Sequence, residues 1–377
     1  MANKTNIEYV DRNHNWVFGC REVGADCDNC YAKHVAHRFG PSEDSPFYGL
    51  TKKDDQGQVV WSGALKFSLD KMSAPLFWQD GTWVFTNTMS DVGFKDIPDR
   101  IFRAWAGFLM VCSVVRPNTV HLAFTKRPSI VAKRLNEIGA EGFDGFWSCF
   151  EAFQSLMIPL DRLIVLRAAT LYETEKKLWP IERAIYNTGK ELERCQLYKT
   201  PQKFWPLPNV YWMVSVGSNE QRHRIKSLFD IPAVVRGVSA EPLIGPLDLF
   251  PFVGRRTTCM DCGDSQAGVP DEVENCGYCK LLTDCDVPVI DIPSLDWIIV
   301  GGESGASARR MEPQHLRDLV ELCDSTGTPL FLKQWGAFDE EGNRVGKKNA
   351  GALLDGRHIH QFPKHAGDRR PLKFRAT

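Results

Sequence analysis

Short apolar runs recur along the chain, and each of them ends in a cluster of polar residues. The runs are rich in β-branched and aromatic residues, which is typical of buried parallel strands. They begin at Trp83, Val120, Val210, Ala233, Trp297 and Pro329, and a further strand is expected before Cys20. Helical segments that follow a proline lie between them, at residues 100–115, 130–138 and 314–325. This alternation predicts an α/β fold with a parallel sheet.

The polar residues after these runs favour a full or partial (β/α) barrel over an open doubly wound sheet. Asn87, Ser90 and Asp91 follow an early run, and Ser215 and Glu241 follow two later ones. In a barrel the carboxyl ends of the strands meet at one mouth, where such enzymes bind their ligands. We therefore expect these five side chains at a ligand-binding face. The structural alternative for each is a helix cap or a hydrogen bond within the barrel.

Two insertions and a tail stand outside the alternation. Residues 141–205 carry helical patterns and predict a helical insertion, whereas residues 251–290 are rich in Gly, Asp and Cys and predict a small metal-binding insertion. The main domain is predicted to span residues 1–336 around them. Basic residues dominate after Asp355, in the predicted tail of residues 337–377. Such a tail either binds a phosphate backbone or is a solvated segment without a partner.

Composition excludes several classes of protein. The 377 residues are 43% hydrophobic and carry a formal net charge of −1, so a large core is possible and a uniformly basic nucleic-acid coat is not. No stretch approaches the ~20 apolar residues of a membrane span, and the N-terminal residues lack a signal-peptide pattern. We expect a cytoplasmic protein without a membrane partner. Seven of the 12 cysteines fall in two close groups that suit metal ligation better than disulfides.

The first cysteine group is Cys20, Cys27 and Cys30, with the spacing C-x6-C-x2-C. A structural zinc site takes four ligands, whereas an iron–sulfur cluster on three thiolates leaves one iron open. We therefore predict a 4Fe-4S cluster whose open iron binds the amino and carboxylate groups of S-adenosylmethionine and reduces its sulfonium, which yields a carbon radical. The alternative is a zinc site completed by His34 or His37.

The second group is C-x2-C-x13-C-x2-C and consists of Cys259, Cys262, Cys276 and Cys279. Four thiolates close a tetrahedral site, so this spacing favours structural Zn²⁺. An auxiliary iron–sulfur cluster that also uses Cys285 is the alternative. A zinc knuckle can hold the insertion together, and it can also present a loop to nucleic acid.

Several motifs share one order along the chain with a known family. They are the three spaced cysteines, Asn87–Asp91, Leu122–Pro128, Ser239–Leu243, Gly301–Gly305 and Phe331–Gly336. Over roughly residues 7–336, the sequence resembles the phage-encoded three-cysteine-motif family of radical S-adenosylmethionine proteins. The resemblance implies a barrel of the radical S-adenosylmethionine type. Both insertions and the tail lie outside it.

The resemblance also implies where the cofactor binds. The residues expected at its amino end are Asn87, Ser90 and Asp91, and those expected at its ribose or at the substrate are Ser215 and Glu241. This chain departs from the general pattern of such enzymes in three ways. An aromatic residue usually precedes the last cysteine, where this chain has Asn29 and places Tyr31 after the cysteine, so adenine stacking by Tyr31 is a hypothesis. The first cysteine gap is longer than the usual C-x3-C, and Gly301-Gly302-Glu303 follows a late strand instead of an early one. The role of holding the amino group is therefore not transferred to Glu303.

The function implied by the resemblance is phage DNA modification in the host cytoplasm. Its expected reaction is an isomerisation that moves a glycine on thymidine from a nitrogen linkage to an α-carbon linkage during thymidine hypermodification. Modified DNA or a nucleotide would be the substrate, and a reductant protein would be a partner. The alternatives are a radical repair lyase or methyltransferase on nucleic acid, and a non-catalytic zinc-dependent nucleic-acid-binding protein in which both cysteine groups are structural.

Overall fold

The structure is a computed structural model that describes residues 5–157, 180–254, 256–259, 265–267, 289–364 and 371. The chain folds into two compact units. The first unit comprises Met1–Ser215, Asp230–Val234 and Ala366–Thr377, and the second comprises Val216–Phe229 and Val235–His365. None of the described helices combines the length and the apolar character that crossing a membrane requires.

The first unit is an α/β structure. Its elements are β1 (Arg12–His14), β2 (Val17–Phe18), α1 (Tyr31–Phe39), β3 (Thr51–Lys53), β4 (Val59–Trp61), β5 (Lys66–Phe67), β6 (Trp83–Thr86), α2 (Asp99–Val115), β7 (Val120–Thr125), α3 (Pro128–Ala140), α4 (Phe143–Met157), α5 (Pro180–Leu197) and β8 (Val210–Ser215). Strands β1, β6, β7 and β8 pair in that order, and every pairing is parallel. All six residues of β7 are buried. A strand buried on both faces explains the unbroken apolar run in the sequence.

The second unit is also α/β. Its elements are α6 (His223–Phe229), β9 (Val235–Ala240), β10 (Arg256–Cys259), β11 (Ser265–Ala267), β12 (Val289–Ile292), β13 (Trp297–Gly301), α7 (Pro313–Thr326), β14 (Leu330–Gln334), β15 (Leu353–Leu354) and β16 (Arg357–His358). Strands β9, β13 and β14 pair in parallel. The predicted α/β class with parallel strands is therefore confirmed. Within each unit, the parallel strands and the helices between them are compatible with part of a (β/α) barrel.

The predicted helix starts are confirmed to within two residues. Pro98 precedes α2, and α3 and α7 each begin with a proline at the first helical position. A proline fits there because the first helical N–H groups have no partner within the helix. Helix α7 ends at Gly327, whose φ of 66° lies in the left-handed region that favours glycine.

The helical insertion packs on α2 within the first unit. A Cβ on Gly107 of α2 would lie 2.1 Å from the carbonyl oxygen of Cys149 in α4, so the two helices approach at their backbones. On α2, Trp105 and Phe108 contact the sheet through Trp212 and His121, at ring-centroid distances of 5.9 and 5.6 Å. Aromatic packing of this kind contributes beyond simple area burial.

The cysteine-rich insertion and the tail are described in part. Strands β11, β10 and β12 form a small antiparallel sheet in that order. Cys262, Cys276 and Cys279 lie outside the described residues, as does the side chain of Cys259, so the zinc prediction stays a prediction. The hairpin β15–β16 lies in the segment that the sequence assigned to the tail, and the Leu332 N–H donates to the Ile359 carbonyl at 2.8 Å. The folded part of the second unit therefore extends beyond residue 336.

Candidate metal centre

A glycine turn fixes Cys20 at the carboxyl end of β6. Gly19 has a φ of 100°, and a Cβ there would lie 2.1 Å from the carbonyl oxygen of Ala64, so no other residue fits. The Gly19 N–H donates to the Met89 carbonyl at 3.1 Å, and Gly19 forms a parallel bridge with Ser90. The segment that follows β6 is thereby held against the residue that precedes Cys20.

Cys27 and Cys30 lie at the start of α1. A single helical turn ends at Cys27, and the Cys30 N–H donates to the Cys27 carbonyl at 3.2 Å. Cys30 is the residue that immediately precedes α1. The Cys20 and Cys30 side chains both pack against one apolar cluster. The members of this cluster are Phe18, Ala32, Ala36, Leu50, Trp61 and Met89. The first and third cysteines of the motif are therefore brought to a common surface.

Burial controls the proton affinity of these thiols. It raises the pKa of Cys20 to about 12; the Asp91 charge acts in the same direction, and the Arg127 charge opposes it. Burial also raises the pKa of Cys30, against the helix N–H groups of α1 and the charge of Lys126. Thiolates are the metal-binding form, so a bound metal must displace these protons. The sheltered thiols suit a metal centre that excludes water.

Asp91 joins the ends of two neighbouring strands. Its Oδ1 accepts hydrogen bonds from the Thr125 hydroxyl at 2.6 Å and from the Gly93 N–H at 2.8 Å. Its Oδ2 accepts from the Lys126 N–H at 2.9 Å and from Arg127 Nη1 at 2.7 Å. Both carboxylate oxygens therefore have two donors. Asp91 thereby positions the residues that follow β7, and its predicted contact with the cofactor stays a prediction.

Two consecutive cations after β7 hold the cysteine loop. Arg127 donates from Nη2 to the Arg21 carbonyl at 2.6 Å, and its Nη1 lies 3.7 Å from Cys20 Sγ. Lys126 donates to the carboxylate of Asp26 and, at 2.9 Å, to the Asp26 carbonyl. The sequence analysis includes both cations in the Leu122–Pro128 motif but gives neither of them a role at the site. Their position directly after a buried strand is the signal that could have assigned one, because strand ends at this edge carry the ligands.

Asn87 and Ser90 offer polar atoms beside this loop. Asn87 is 2% exposed with a φ of 59°, a left-handed conformation that is uncommon for a non-glycine residue. Its Oδ1 accepts from the Trp16 N–H at 3.3 Å. Within the described part of the chain, Asn87 Nδ2 and Ser90 Oγ are buried without a hydrogen-bond partner. Buried polar atoms rarely lack partners, so these two are candidates for contact with a polar ligand.

The remaining predicted cofactor residues belong to different units. Ser215 ends β8 in the first unit. Glu241 follows β9 in the second unit, where it forms an ion pair with Lys333 at 2.8 Å and accepts from the Ser239 hydroxyl at 3.2 Å. Their roles at the ribose or at the substrate stay predictions.

The two histidines of the zinc alternative lie on α1. His37 Nδ1 lies 3.2 Å from the Thr51 hydroxyl, and His34 is exposed. Across the described ranges, no three His, Cys, Asp or Glu side chains are close enough to hold one metal ion. A single tetrahedral zinc brings its sulfurs to about 4 Å from one another, whereas a cluster distributes thiolates over separate irons. Three thiols and two nearby cations, Lys126 and Arg127, are the types of group that suit an anionic iron–sulfur cluster.

The fold and these residues define an α/β protein with a candidate cysteine-ligated centre at a strand edge. The chain belongs to the family described as protein of unknown function (DUF5131), whose model matches residues 4–363. No curated protein and no solved structure gives a significant match.

Proposed function

We propose that the protein is a radical S-adenosylmethionine enzyme in which Cys20, Cys27 and Cys30 hold a 4Fe-4S cluster. The observation that carries this proposal is the place of the cysteines. Cys20 follows the bridge between Gly19 and Ser90 at the carboxyl edge of a parallel sheet, Cys20 and Cys30 pack against one apolar cluster, and Asn87 and Ser90 each have an unpartnered polar atom. Three thiolates leave one iron of the cluster open to a cofactor.

The side chains around the cysteine loop have different roles in this proposal. When bound, the cluster and S-adenosylmethionine supply a carbon radical that abstracts hydrogen from an unactivated carbon. Asn87 donates its amide N–H to the polar end of the cofactor, and Ser90 offers its hydroxyl there. Asp91 and Arg127 fix the orientation of the Cys20 arm. The apolar cluster under Cys20 and Cys30 keeps water from the thiolates.

The proposed substrate is modified DNA or a nucleotide. A glycyl α-carbon carries hydrogen that a carbon radical can abstract, and transfer of the glycine attachment from nitrogen to that carbon gives an isomerisation on thymidine. The support for this reaction is the motif resemblance to phage-encoded enzymes, together with the basic residues near the C-terminus. A reductant protein would supply the electron. Structural Zn²⁺ on Cys259, Cys262, Cys276 and Cys279 belongs to the same proposal.

The test is anaerobic reconstitution with iron and sulfide, followed by dithionite and S-adenosylmethionine. We expect about four irons per chain, an electron paramagnetic resonance signal that the cofactor perturbs, and release of deoxyadenosine. Cys20→Ala should lose the iron. Cys323→Ala is the matched control, because it removes a buried cysteine of α7 in the second unit. Equal iron in both variants would contradict the assignment.

Two other outcomes select the alternatives. Zinc at both cysteine groups without iron would identify a non-catalytic nucleic-acid-binding protein. Cofactor cleavage with a shortened or methylated base as the product would identify a repair lyase or a methyltransferase, which mass spectrometry of the treated nucleotide distinguishes from an isomer of unchanged mass.

A further inference from the structure

Arg127 contacts three groups with one planar side chain. Nη1 lies 2.7 Å from Asp91 Oδ2 and 3.7 Å from Cys20 Sγ, while Nη2 donates to the Arg21 carbonyl at 2.6 Å. The Arg127 side chain is 11% exposed. A guanidinium presents several N–H groups in a fixed plane, so one arginine can satisfy a carboxylate, a carbonyl and a sulfur together.

The surroundings hold this guanidinium in place. The guanidinium carbon lies 5.0 Å from the ring centroid of Phe94, and Asp91 is itself fixed by Thr125 and two backbone N–H groups. Helix α3 begins at the next residue, Pro128, which restricts the backbone of Arg127. The cation therefore cannot turn away from Cys20 without breaking several contacts.

We propose, on the basis of the cluster proposed above, that Arg127 is a positioning residue that raises the reduction potential of the cluster through its contact with Cys20 Sγ. Reduction adds one electron, supplied by an external reductant, to a cluster that is already anionic on its thiolates. A cation and an N–H donor at a ligand sulfur stabilise the more negative reduced state. The buried site strengthens this electrostatic effect.

Asp91 makes the effect larger. Its carboxylate acts on Cys20 with the opposite sign to Arg127. Removal of the arginine charge therefore takes away a cation and leaves the Asp91 carboxylate without its ionic partner. Both changes disfavour the added electron, so they lower the potential in the same direction.

The experiment is a redox titration of reconstituted protein, followed by electron paramagnetic resonance of the reduced cluster. We compare Arg127→Gln, Arg127→Lys and the control Lys133→Gln, which removes an exposed positive charge from α3. At the wild-type midpoint, Arg127→Gln should lower the ratio of reduced to oxidised cluster about tenfold, which corresponds to about 59 mV for one electron. Arg127→Lys should give a smaller decrease, since an ammonium held by Asp91 cannot also reach the sulfur. Lys133→Gln should match wild type.

The outcomes separate this inference from the proposed function. An unchanged potential in a fully loaded Arg127→Gln overturns the inference and leaves the cluster proposal intact. Absence of a cluster in wild type overturns both. Should Arg127→Gln fail to load, Arg127→Lys decides: a lowered potential supports the inference, and a wild-type potential overturns it. Failure of both variants to load, with unchanged circular dichroism, assigns Arg127 to cluster assembly and also overturns it.

Discussion

Both units place carboxylates at the carboxyl ends of parallel strands, but they use them differently. In the first unit, the cation that pairs with Asp91 also reaches a thiol, Cys20. In the second unit, Glu241 and Lys333 form an ion pair, with the Ser239 hydroxyl as a further donor to Glu241. The difference teaches that similar ion pairs at two strand edges can have different neighbours. What distinguishes the first edge is a cation shared between a carboxylate and a sulfur.

The Gly-Gly-Glu motif of the second unit illustrates the same difference. A Cβ on Gly302 would lie 1.9 Å from the Trp335 carbonyl oxygen, and one on Gly301 would lie 2.9 Å from Glu241 Oε1. Glu303 accepts from the Arg309 N–H at 2.7 Å and from its Nη2 at 2.8 Å. Here the motif allows close backbone packing and anchors its own loop.

The largest expected effect is that of Gly302→Ala. The added methyl group meets a backbone oxygen that cannot move aside, so we expect a loss of about 4 kcal/mol in the free energy of unfolding. Gly305→Ala is the control within the same motif, because a Cβ there meets nothing within 4 Å and only its φ of 109° is strained. Gly305→Ala should lower the free energy of unfolding by about 2 kcal/mol. Urea unfolding measures both, and equal costs would refute the packing role.

Asp91→Asn should have the next largest effect. The substitution removes the negative charge that pairs with Arg127, and the new amide places its N–H group against groups that are themselves donors. We expect the free energy of unfolding to fall by about 3 kcal/mol. It should also reduce the iron content after reconstitution, since Arg127 then loses its anchor beside Cys20. Glu241→Gln is the matched change in the second unit and should leave the iron content unchanged. Iron loss from both variants would contradict the contrast between the two edges.

Acid should weaken the first unit through two buried histidines. His14 and His121 each lie 5.6 Å from the Phe108 ring, between centroids, and both His121 nitrogens lack a hydrogen-bond partner within the described residues. Burial lowers the pKa of His14 to about 4 and that of His121 to about 3. The unfolded chain takes up these protons below a pKa of about 6.5, whereas the folded chain resists them. Stability is therefore full above pH 6.5 and falls as the pH drops toward 4.

His121→Leu tests this sign. At pH 5, His121 should account for about 2 kcal/mol of the acid-induced fall in the free energy of unfolding. In His121→Leu this fall should therefore be about 2 kcal/mol smaller than in wild type. Urea unfolding at pH 7 and pH 5 gives the difference. His223→Gln, which changes an exposed histidine of the second unit, should keep the full loss. The same acid sensitivity in His121→Leu and wild type would exclude His121 as a cause.

Local pattern predicted the parallel strands, the helix starts and the position of Cys20 after the first strand. These features follow from burial and chain stiffness, which neighbouring residues encode. The contact between Arg127 and Cys20 joins residues 107 positions apart, and no spacing rule encodes it. The division into two units was not predicted either, since one run of alternating strands and helices reads as one domain. The hairpin in the tail was missed because its strands are two residues long.

The smallest expected effect concerns Tyr31, which follows Cys30 directly. Its hydroxyl donates to the Thr88 carbonyl at 2.9 Å, and the residue is 53% exposed. Tyr31→Phe should cost under about 1 kcal/mol of stability and keep the cofactor affinity, since the ring remains. Tyr31→Ala should weaken binding of S-adenosylmethionine about tenfold if the ring stacks on adenine, because one stack contributes about 1.4 kcal/mol. Titration calorimetry of reconstituted protein measures this, with Tyr48→Ala as the control at another exposed ring. Unchanged affinity in Tyr31→Ala would mean that the adenine lies away from α1. The residues around the first cysteine group would then contact only the polar end of the cofactor.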